Sequence, residues 1–227
     1  MRIFTFVYII SLMSLLPVQG QDTGRDSISR KGKYGLRIGV EIGRPVYELI
    51  TGENAGFEIR ADYPLGKKGF LAAGYGSQHR ALTEERYDYS VEGVYASLGY
   101  DRNIYENFPG FHHEITVGLH YTGSVFSQEV QRVVIGNQTD YFGSETLELN
   151  RRYEHLQAHW LGLRFGVRAE VLPRFFLGMG ISLNKLLYSD KPENFALMYA
   201  PGFYRIPGSG GGFALYYTLS YTLPVIF

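Results

Sequence analysis

The sequence predicts an all-β fold, namely an eight-stranded antiparallel up-and-down transmembrane β-barrel. Eight segments alternate apolar with polar or small residues, the connections between them alternate in length, and the chain ends on an apolar strand at Phe227. A two-residue period is typical of strands. Short turns at one end with longer loops at the other are typical of barrels in the outer membrane. In a closed barrel the final strand also has no edge with unpaired backbone hydrogen-bonding groups.

The N-terminal residues have the pattern of an export signal. Arg2 precedes an almost unbroken apolar run over 3–16, and small residues at 18–20 offer a cleavage site. These are the parts of a secretory signal, and the run is too short for a spanning helix. A retained membrane anchor is the alternative. We therefore expect a signal peptide over 1–20, a flexible periplasmic arm over 21–33 and the barrel over 34–227.

The composition argues against several classes of function. The chain has no cysteine, so it has neither a lipoprotein attachment site nor a disulfide framework. Its 22 basic and 22 acidic residues balance to a formal net charge of +0. Nucleic-acid binding requires a basic surface and is therefore not expected. The 19 tyrosines, 15 phenylalanines and 28 glycines suit β-structure more than helices.

Eight segments carry the strand pattern, and no segment indicates a helix. The first is YGLRIGVEIG, in which Ile38 and Val40 share one face while Arg37 and Glu41 share the other. The other segments follow the same alternation, the third least regularly. The predicted strands cover 34–43, 57–63, 70–79, 90–102, 111–127, 158–171, 175–187 and 213–223.

The connections between these segments are alternately long and short. Short ones carry turn residues, as in PLGKKG and LPR, whereas long ones are polar and irregular. The short connections cover 64–69, 103–110 and 172–174, and the long ones cover 44–56, 80–89, 128–157 and 188–212. This predicts that both termini, Lys67 and Arg174 face the periplasm and that Asn137 and Gly210 face outward.

The polar face distinguishes a membrane barrel from a soluble secreted barrel, which alternates in the same way. It carries glycine, arginine and carboxylates, whereas all lysines except Lys185 fall outside the predicted strands. Arginine suits enclosed bidentate pairing. We therefore predict a narrow lumen filled with paired charges and an outer face towards lipid, with the soluble barrel as the alternative. The predicted lumen charge network is Arg37, Glu41, Glu58, Arg60, Glu114, Arg164, Arg168 and Glu170.

The end of the chain carries a second membrane feature. Tyr221, Leu223, Val225 and Phe227 share one face of the last strand. An apolar face ending in a phenylalanine resembles the C-terminal signal by which outer-membrane barrels are recognised for insertion. We therefore expect the outer membrane of a Gram-negative cell envelope as the location.

Four stretches spread over the chain carry a family resemblance. They are KGKYGLRIGVEIGRPV (31–46), YASLGYDRNIYENF (95–108), AHWLGLRFGVRAEVLPRFFLGMGISLNKLL (158–187) and PENFALMYAPGFYR (192–205). Together they resemble a functionally uncharacterised family of small outer-membrane β-barrel proteins of Bacteroidota. The resemblance implies a fold and a location. It implies no reaction, so it assigns no catalytic residue.

The histidines form no complete constellation for catalysis or metal binding. His155 and His159 lie four residues apart beside Glu154, but they would need a helix or a bent loop to share a metal ion. His120 and Ser124 could be a base and a nucleophile, but no third orienting group is evident. We therefore expect no enzyme activity, no metal site and no cofactor.

The long loops 128–157 and 188–212 carry aromatic residues that either pack on one another as a lid or bind protein partners. We hypothesise a non-enzymatic scaffold or accessory subunit of a larger envelope complex, such as one for outer-membrane protein assembly or secretion. Its partners would be outer-membrane lipid and outer-membrane proteins. The alternatives are a rim enzyme that modifies outer-membrane lipid and a surface adhesin. The candidate partner-binding residues are Tyr141, Phe142, Tyr153, Phe195, Tyr199, Phe203 and Tyr204.

Overall fold

The structure is a computed structural model. It describes residues 35–51, 54–83, 87–106, 112–135, 145–190, 197, 199–206 and 208–224. The predicted signal peptide and arm lie outside these residues, as do Asn137, Tyr141, Phe142, Phe195, Val225 and Phe227. Within the described part of the chain, no helix has the length and apolarity needed to cross a membrane.

Eight antiparallel strands form a closed ring, which confirms the predicted barrel. Each strand pairs with its neighbours in the chain, and the first strand pairs with the last to close the ring. The ring strands are β1 (Arg37–Glu41), β2 (Asn54–Leu65), β3 (Gly69–Thr83), β4 (Tyr87–Asn103), β5 (Glu114–Ile135), β6 (Glu145–Leu172), β7 (Phe175–Ser189) and β10 (Gly211–Thr222). The remaining elements are helix α1 (Gly43–Thr51) and the two short strands β8 (Tyr199–Ala200) and β9 (Tyr204–Arg205).

The two faces of the ring have opposite character. In β1, Arg37 and Glu41 are buried inside while Ile38 and Val40 are exposed outside. The same alternation runs through β7 and β10. Because successive side chains of a strand point to opposite faces, one polar and one apolar row follow directly from the sequence. The outcome is a polar lumen and an apolar exterior.

Both termini of the ring lie at the same end of the barrel. The amide of Leu223 donates to the carbonyl of Leu36 at 2.8 Å, and the amide of Thr222 donates to Arg174 at 2.9 Å. The turns after β2 and β6 lie at this end too, so Lys67 and Arg174 accompany the termini as expected. Which compartment this end faces stays a prediction.

The prediction of a long loop over 128–157 is wrong, because β5 and β6 continue as a paired hairpin up to Ile135 and Glu145. The register shifts twice along this hairpin, between Phe126 and Gln128 and again between Val130 and Arg132. A bulge inserts an extra residue and moves the following side chains to the other face. The two-residue period is therefore interrupted, which hides the strand from sequence reasoning.

The prediction of no helix is also wrong, since α1 occupies most of the segment that was assigned to the loop 44–56. The carboxylate of Glu41 accepts the amides of Gly43 and Arg44 at 2.8 and 3.1 Å. These first amides have no partner inside a helix, so the carboxylate satisfies them. Pro45 lies in the first turn, where a missing amide is tolerated. The helix is short and depends on a contact outside itself, which explains why its sequence gives little signal.

The last of the four long connections, predicted over 188–212, folds back over the mouth of the barrel. Strands β8 and β9 form a small hairpin, and we call residues 199–206 the lid. The lid packs onto the inner faces of the ring strands where these extend away from the terminal end. This cluster of buried residues comprises Tyr89, Val91, Tyr95, Phe126, Val130, Leu156, Ala158, Trp160, Tyr199, Ala200 and Phe203.

Candidate functional site

A group of five charged residues fills the lumen near the termini, and we call it the terminal-end cluster: Arg37, Asp62, Asp101, Glu114 and Arg168. Arg37 donates two hydrogen bonds to Glu114, at 2.9 and 2.6 Å, and lies 3.7 Å from Asp62. Arg168 donates to Asp62 at 2.7 Å and lies 3.4 Å from both Asp101 and Glu114. Each guanidinium thus faces at least two carboxylates from different strands.

Aromatic rings cover the guanidinium of Arg37. It lies 4.5 Å from the ring centre of Phe176 and 5.3 Å from that of Phe70. His120 Nε2 lies 2.7 Å from Asp101 Oδ1 beside the cluster. Pairing and aromatic contact both compensate the loss of hydration, because an enclosed charge without partners is strongly destabilising. The terminal-end cluster therefore fills and ties together this part of the lumen.

A second group lies closer to the lid, and we call it the lid-side cluster: Arg44, Glu58, Arg60, Tyr95 and Arg164. Glu58 accepts hydrogen bonds from Arg60 at 2.6 Å and from the Tyr95 hydroxyl at 2.8 Å, and Arg44 lies 3.3 Å away. Arg44, from α1, also donates to the Tyr95 hydroxyl. One carboxylate here faces more than one guanidinium, so the cluster carries surplus positive charge.

Most of the predicted lumen charges lie in these two clusters. Arg37, Glu114 and Arg168 belong to the terminal-end cluster, and Glu58 and Arg60 belong to the lid-side cluster. Arg168 is paired with carboxylates as predicted.

Glu41, Arg164 and Glu170 differ from the expectation of charge pairing inside the lumen. Glu41 is buried, but it mainly binds the backbone amides that start α1. Arg164 forms no ion pair or hydrogen bond among the described residues, and its Nε atom is buried without a partner. Glu170 lies at the barrel end, where it accepts the Arg174 amide at 2.7 Å and contacts His112 at 2.8 Å. Glu170 pairs with Phe176 next to the turn between β6 and β7, so its side chain lies at the end of the barrel and outside the network.

Sequence reasoning did not assign five residues to the lumen network, namely Asp62, Asp101, His120, Arg44 and Tyr95. The first three lie on the polar face of their strands, so the alternation that selected the other charges could have found them. Arg44 could not be found in this way because it reaches the lumen from a helix. Tyr95 is a large aromatic residue on an inward position, which the strand pattern alone assigns to no particular role.

The expectation of an accessible partner surface is wrong for Tyr199 and Phe203, which are 2% and 0% exposed. The ring of Phe203 packs edge-on against Trp160 at 5.4 Å. Gln78 holds the lid from both sides, since its Nε2 donates to the Tyr199 hydroxyl at 2.7 Å and its Oε1 accepts the Gly202 amide at 3.0 Å. Burial of aromatic area favours this packing over exposure to water.

The other candidate aromatic residues give less information. Tyr153 packs against the same buried cluster. Tyr204 belongs to β9, but the structure does not describe its side chain. At the end of the last ring strand, Tyr221 packs against Phe175 at 4.7 Å between ring centres, and Leu223 is exposed.

The histidines do not converge on a catalytic or metal site. His159 lies on the outer face and makes a 2.9 Å hydrogen bond with the Tyr121 hydroxyl, whereas His155 is exposed at a backbone φ of 59°. Ser124 donates to the carbonyl of Val94 and so does not engage His120. The described residues contain no group of three His, Asp or Glu side chains that could hold a metal ion.

Comparison with known proteins places the chain in a family. Residues 1–227 match the family described as a domain of unknown function, DUF6048. The chain is a member of the DUF6048 family. This agrees with the predicted membership of a functionally uncharacterised family, whereas the restriction to Bacteroidota stays a prediction. No curated protein sequence is significantly similar to this DUF6048 protein.

Two solved structures are similar to it. The attachment invasion locus protein Ail of Yersinia pestis is 9% identical with a TM-score of 0.40, and the match covers 83% of this chain and 95% of Ail. Neisserial surface protein A is 12% identical with a TM-score of 0.41, and the match covers 84% of this chain and 96% of that protein. At these values the similarity carries no conclusion about function.

Proposed function

We propose that this DUF6048 protein is an outer-membrane β-barrel that serves as a non-enzymatic scaffold or accessory subunit of a larger envelope complex. Assembly of outer-membrane proteins and secretion are examples of such complexes. The observation that carries the proposal is the distribution of side chains in the ring, where the apolar row faces outward and the charged row fills the interior.

The apolar exterior supports a membrane location. Large apolar side chains are exposed on the outer faces of the ring strands, among them Leu98, Leu119 and Phe213, and Phe213 reaches 67% exposure. A continuous apolar surface of this kind is unfavourable in water. It is favourable in lipid, where a closed barrel also leaves no unpaired strand edge. Export to the outer membrane would follow from the predicted signal peptide.

The filled lumen supports a role that depends on outer surfaces rather than on transport. In eight-stranded barrels the interior is just wide enough for side chains to fill it. Here the terminal-end cluster and the lid occupy the two ends of the lumen. A protein with an occupied interior can still bind neighbours through its lipid-facing side and its external loops, as a scaffold does.

A crosslinking experiment tests this proposal in cells. A photo-crosslinking amino acid is placed singly at outward positions distributed around the ring, namely Ile59, Leu98, Leu163 and Leu215, which are all exposed. The buried position Gln128 serves as the control, because a lumen residue cannot reach a neighbour. We expect protein adducts on one side of the ring only, identified by mass spectrometry.

The outcomes separate the three functions considered. Adducts confined to one arc support a scaffold or subunit. An absence of protein adducts at every position, combined with altered lipid A in a deletion strain, would overturn the scaffold in favour of a rim enzyme. Loss of host-cell or surface binding in the deletion strain, again without adducts, would favour an adhesin.

A further inference from the structure

One part of the barrel wall is not closed by paired strands. β1 ends at Glu41, which pairs with Thr218, so residues 211–217 of β10 pair only with β7. On the other side of β1, the last pair with β2 joins Val40 to Ile59, so residues 54–58 of β2 pair only with β3. Helix α1 contacts both β2 and β10, so it lies between the two strands where β1 no longer pairs with them. We call this region, formed by α1 with residues 54–58 and 211–217, the seam.

The side chain of Glu41 holds the seam together. One of its oxygens accepts the amides of Gly43 at 2.8 Å and Tyr217 at 3.3 Å, and the other accepts Arg44 at 3.1 Å. A single buried carboxylate thus connects β1, α1 and β10. One backbone hydrogen bond, from Ile42 to Tyr217, and a few side-chain contacts replace a ladder of hydrogen bonds between strands. The seam therefore opens at a lower cost than a wall of paired strands.

A small arginine-rich cavity lies behind the seam. It is lined by Arg44, Arg60 and Arg164, by the polar side chains of Ser182 and Asn184, and by β10 residues of the seam. Glu58 is the single carboxylate among the lining residues, and it pairs with Arg60 at 2.6 Å and Arg44 at 3.3 Å. Arg44 also lies 3.9 Å from Glu41, so two carboxylates face the three guanidinium groups. The Arg164 Nε atom is buried without a partner. The cavity therefore offers an unsatisfied donor and surplus positive charge.

The two ends of the barrel give little access to this cavity. On one side, Gly202 of the lid lies against Tyr95, so that a Cβ atom at Gly202 would come within 2.8 Å of the Tyr95 ring. On the other side, the terminal-end cluster fills the lumen. The β10 residues Ala214, Leu215 and Tyr216 belong both to the cavity lining and to the seam. The seam is therefore the nearest route to the arginines.

We infer that this cavity binds a phosphate-type oxyanion, carried by the headgroup of a membrane lipid that reaches it through the seam. Guanidinium groups present planar pairs of donors that match the oxygens of a phosphate, and they bind it with charge-assisted hydrogen bonds. The cavity is small, which suits a phosphate group and not a whole lipid. The lipid source rests on the proposed membrane location, whereas the oxyanion site does not.

Arg164→Gln is the variant that tests the site, and Arg151→Gln is its control. Both arginines lie on β6, but Arg151 is exposed and lies outside the cavity lining. Heat-modifiable migration on semi-native gels verifies that each variant folds. If Arg164→Gln fails to fold, Arg164→Lys replaces it, since it keeps the charge and loses the fork of donors.

Two measurements distinguish the source of the phosphate. Native mass spectrometry of the barrel in mild detergent detects retained phospholipid, and thermal unfolding at constant ionic strength detects binding of inorganic phosphate against a chloride reference. We expect retained phospholipid in the wild type and in Arg151→Gln. Arg164→Gln should bind about tenfold to a hundredfold more weakly, as expected for the loss of a charged hydrogen-bond donor.

Each outcome decides the inference. Phosphate binding without retained phospholipid would keep the oxyanion site and overturn the lipid source. No binding of either ligand, or equal binding by Arg164→Gln and Arg151→Gln, would overturn the site itself. A failure of the proposed membrane location is seen separately, as recovery of the protein in the soluble periplasmic fraction.

Discussion

Two ion pairs of equal length in this protein should differ widely in their effect on stability. Arg37 Nη2 lies 2.6 Å from Glu114, and Lys68 Nζ lies 2.6 Å from Glu106. The side chains of the first pair are 4% and 5% exposed, whereas those of the second are 46% and 82% exposed. We therefore predict that Arg37→Met strongly destabilises the barrel and that Lys68→Met leaves it unchanged.

The expected magnitude follows from the charges that remain after each substitution. Without Arg37, the carboxylates Asp62, Asp101 and Glu114 share Arg168 as the remaining guanidinium of the terminal-end cluster. Removing one partner of a buried pair typically costs ~3–5 kcal/mol, because the other charge is left uncompensated. We expect the upper part of this range, since Glu114 loses both of its short hydrogen bonds and keeps one 3.4 Å contact.

The exposed pair should behave differently although its carboxyl group responds to its partner. Lys68 lowers the pKa of Glu106 by donating a hydrogen bond to it. Water and salt screen such a pair, and both ends can be hydrated equally well when they separate. Lys68→Met therefore has no expected effect on the free energy of unfolding.

The assay is equilibrium unfolding by urea of the barrel reconstituted in lipid vesicles. The protein has one tryptophan, and Trp160 lies in the buried cluster beneath the lid, so its fluorescence reports unfolding. Far-ultraviolet circular dichroism gives a second probe of the same transition. Equal shifts for Arg37→Met and Lys68→Met, or no shift for either, would refute the assignment of Arg37 to an enclosed lumen.

Three further predictions concern the seam, the lid and the orientation. Glu41→Gln weakens the contact between α1 and β10, so hydrogen–deuterium exchange should quicken over residues 43–51 and remain unchanged in β5. Gly202 has a φ of +84° and lies close to the Tyr95 ring; Gly202→Ala should therefore loosen the lid and expose it to proteolysis, whereas Gly208→Ala, with nothing within 4 Å, should not. A single cysteine at Gly210 should react with an impermeant maleimide on intact cells, and one at Lys67 should not; the reverse pattern would invert the orientation.

The sequence allowed the barrel to be predicted because the two-residue period is local information. In β1 the alternation of Arg37, Ile38, Val40 and Glu41 is enough to assign each side chain to a face. The alternation does not give the position of a side chain along the barrel axis or the direction in which it points within the lumen. Arg37 and Glu114 lie on strands that are not neighbours in the ring, so their contact depends on the register and the tilt of every strand between them.

Other features escaped because their cause is not local. The start of α1 depends on Glu41, whose carboxylate is itself held by β10 at Tyr217. The continuation of β5 and β6 depends on pairing across bulges, which interrupt the pattern by which strands are recognised. The aromatic residues of the lid had two equally good interpretations, and only their packing against Trp160 distinguishes them.

The two lumen clusters are not equivalent, and their difference bears on function. In the terminal-end cluster the carboxylates outnumber the guanidiniums, and each charge has a partner of opposite sign. In the lid-side cluster Arg164 lies beside Arg44 and Arg60 with Glu58 as the shared carboxylate. The Arg164 Nε atom is buried without a partner. A buried donor left unsatisfied opposes folding, and a neutral side chain without that donor would remove the cost. Ion pairing among the described residues thus gives no reason for an arginine at position 164, whereas binding of an anion from the side of the seam does.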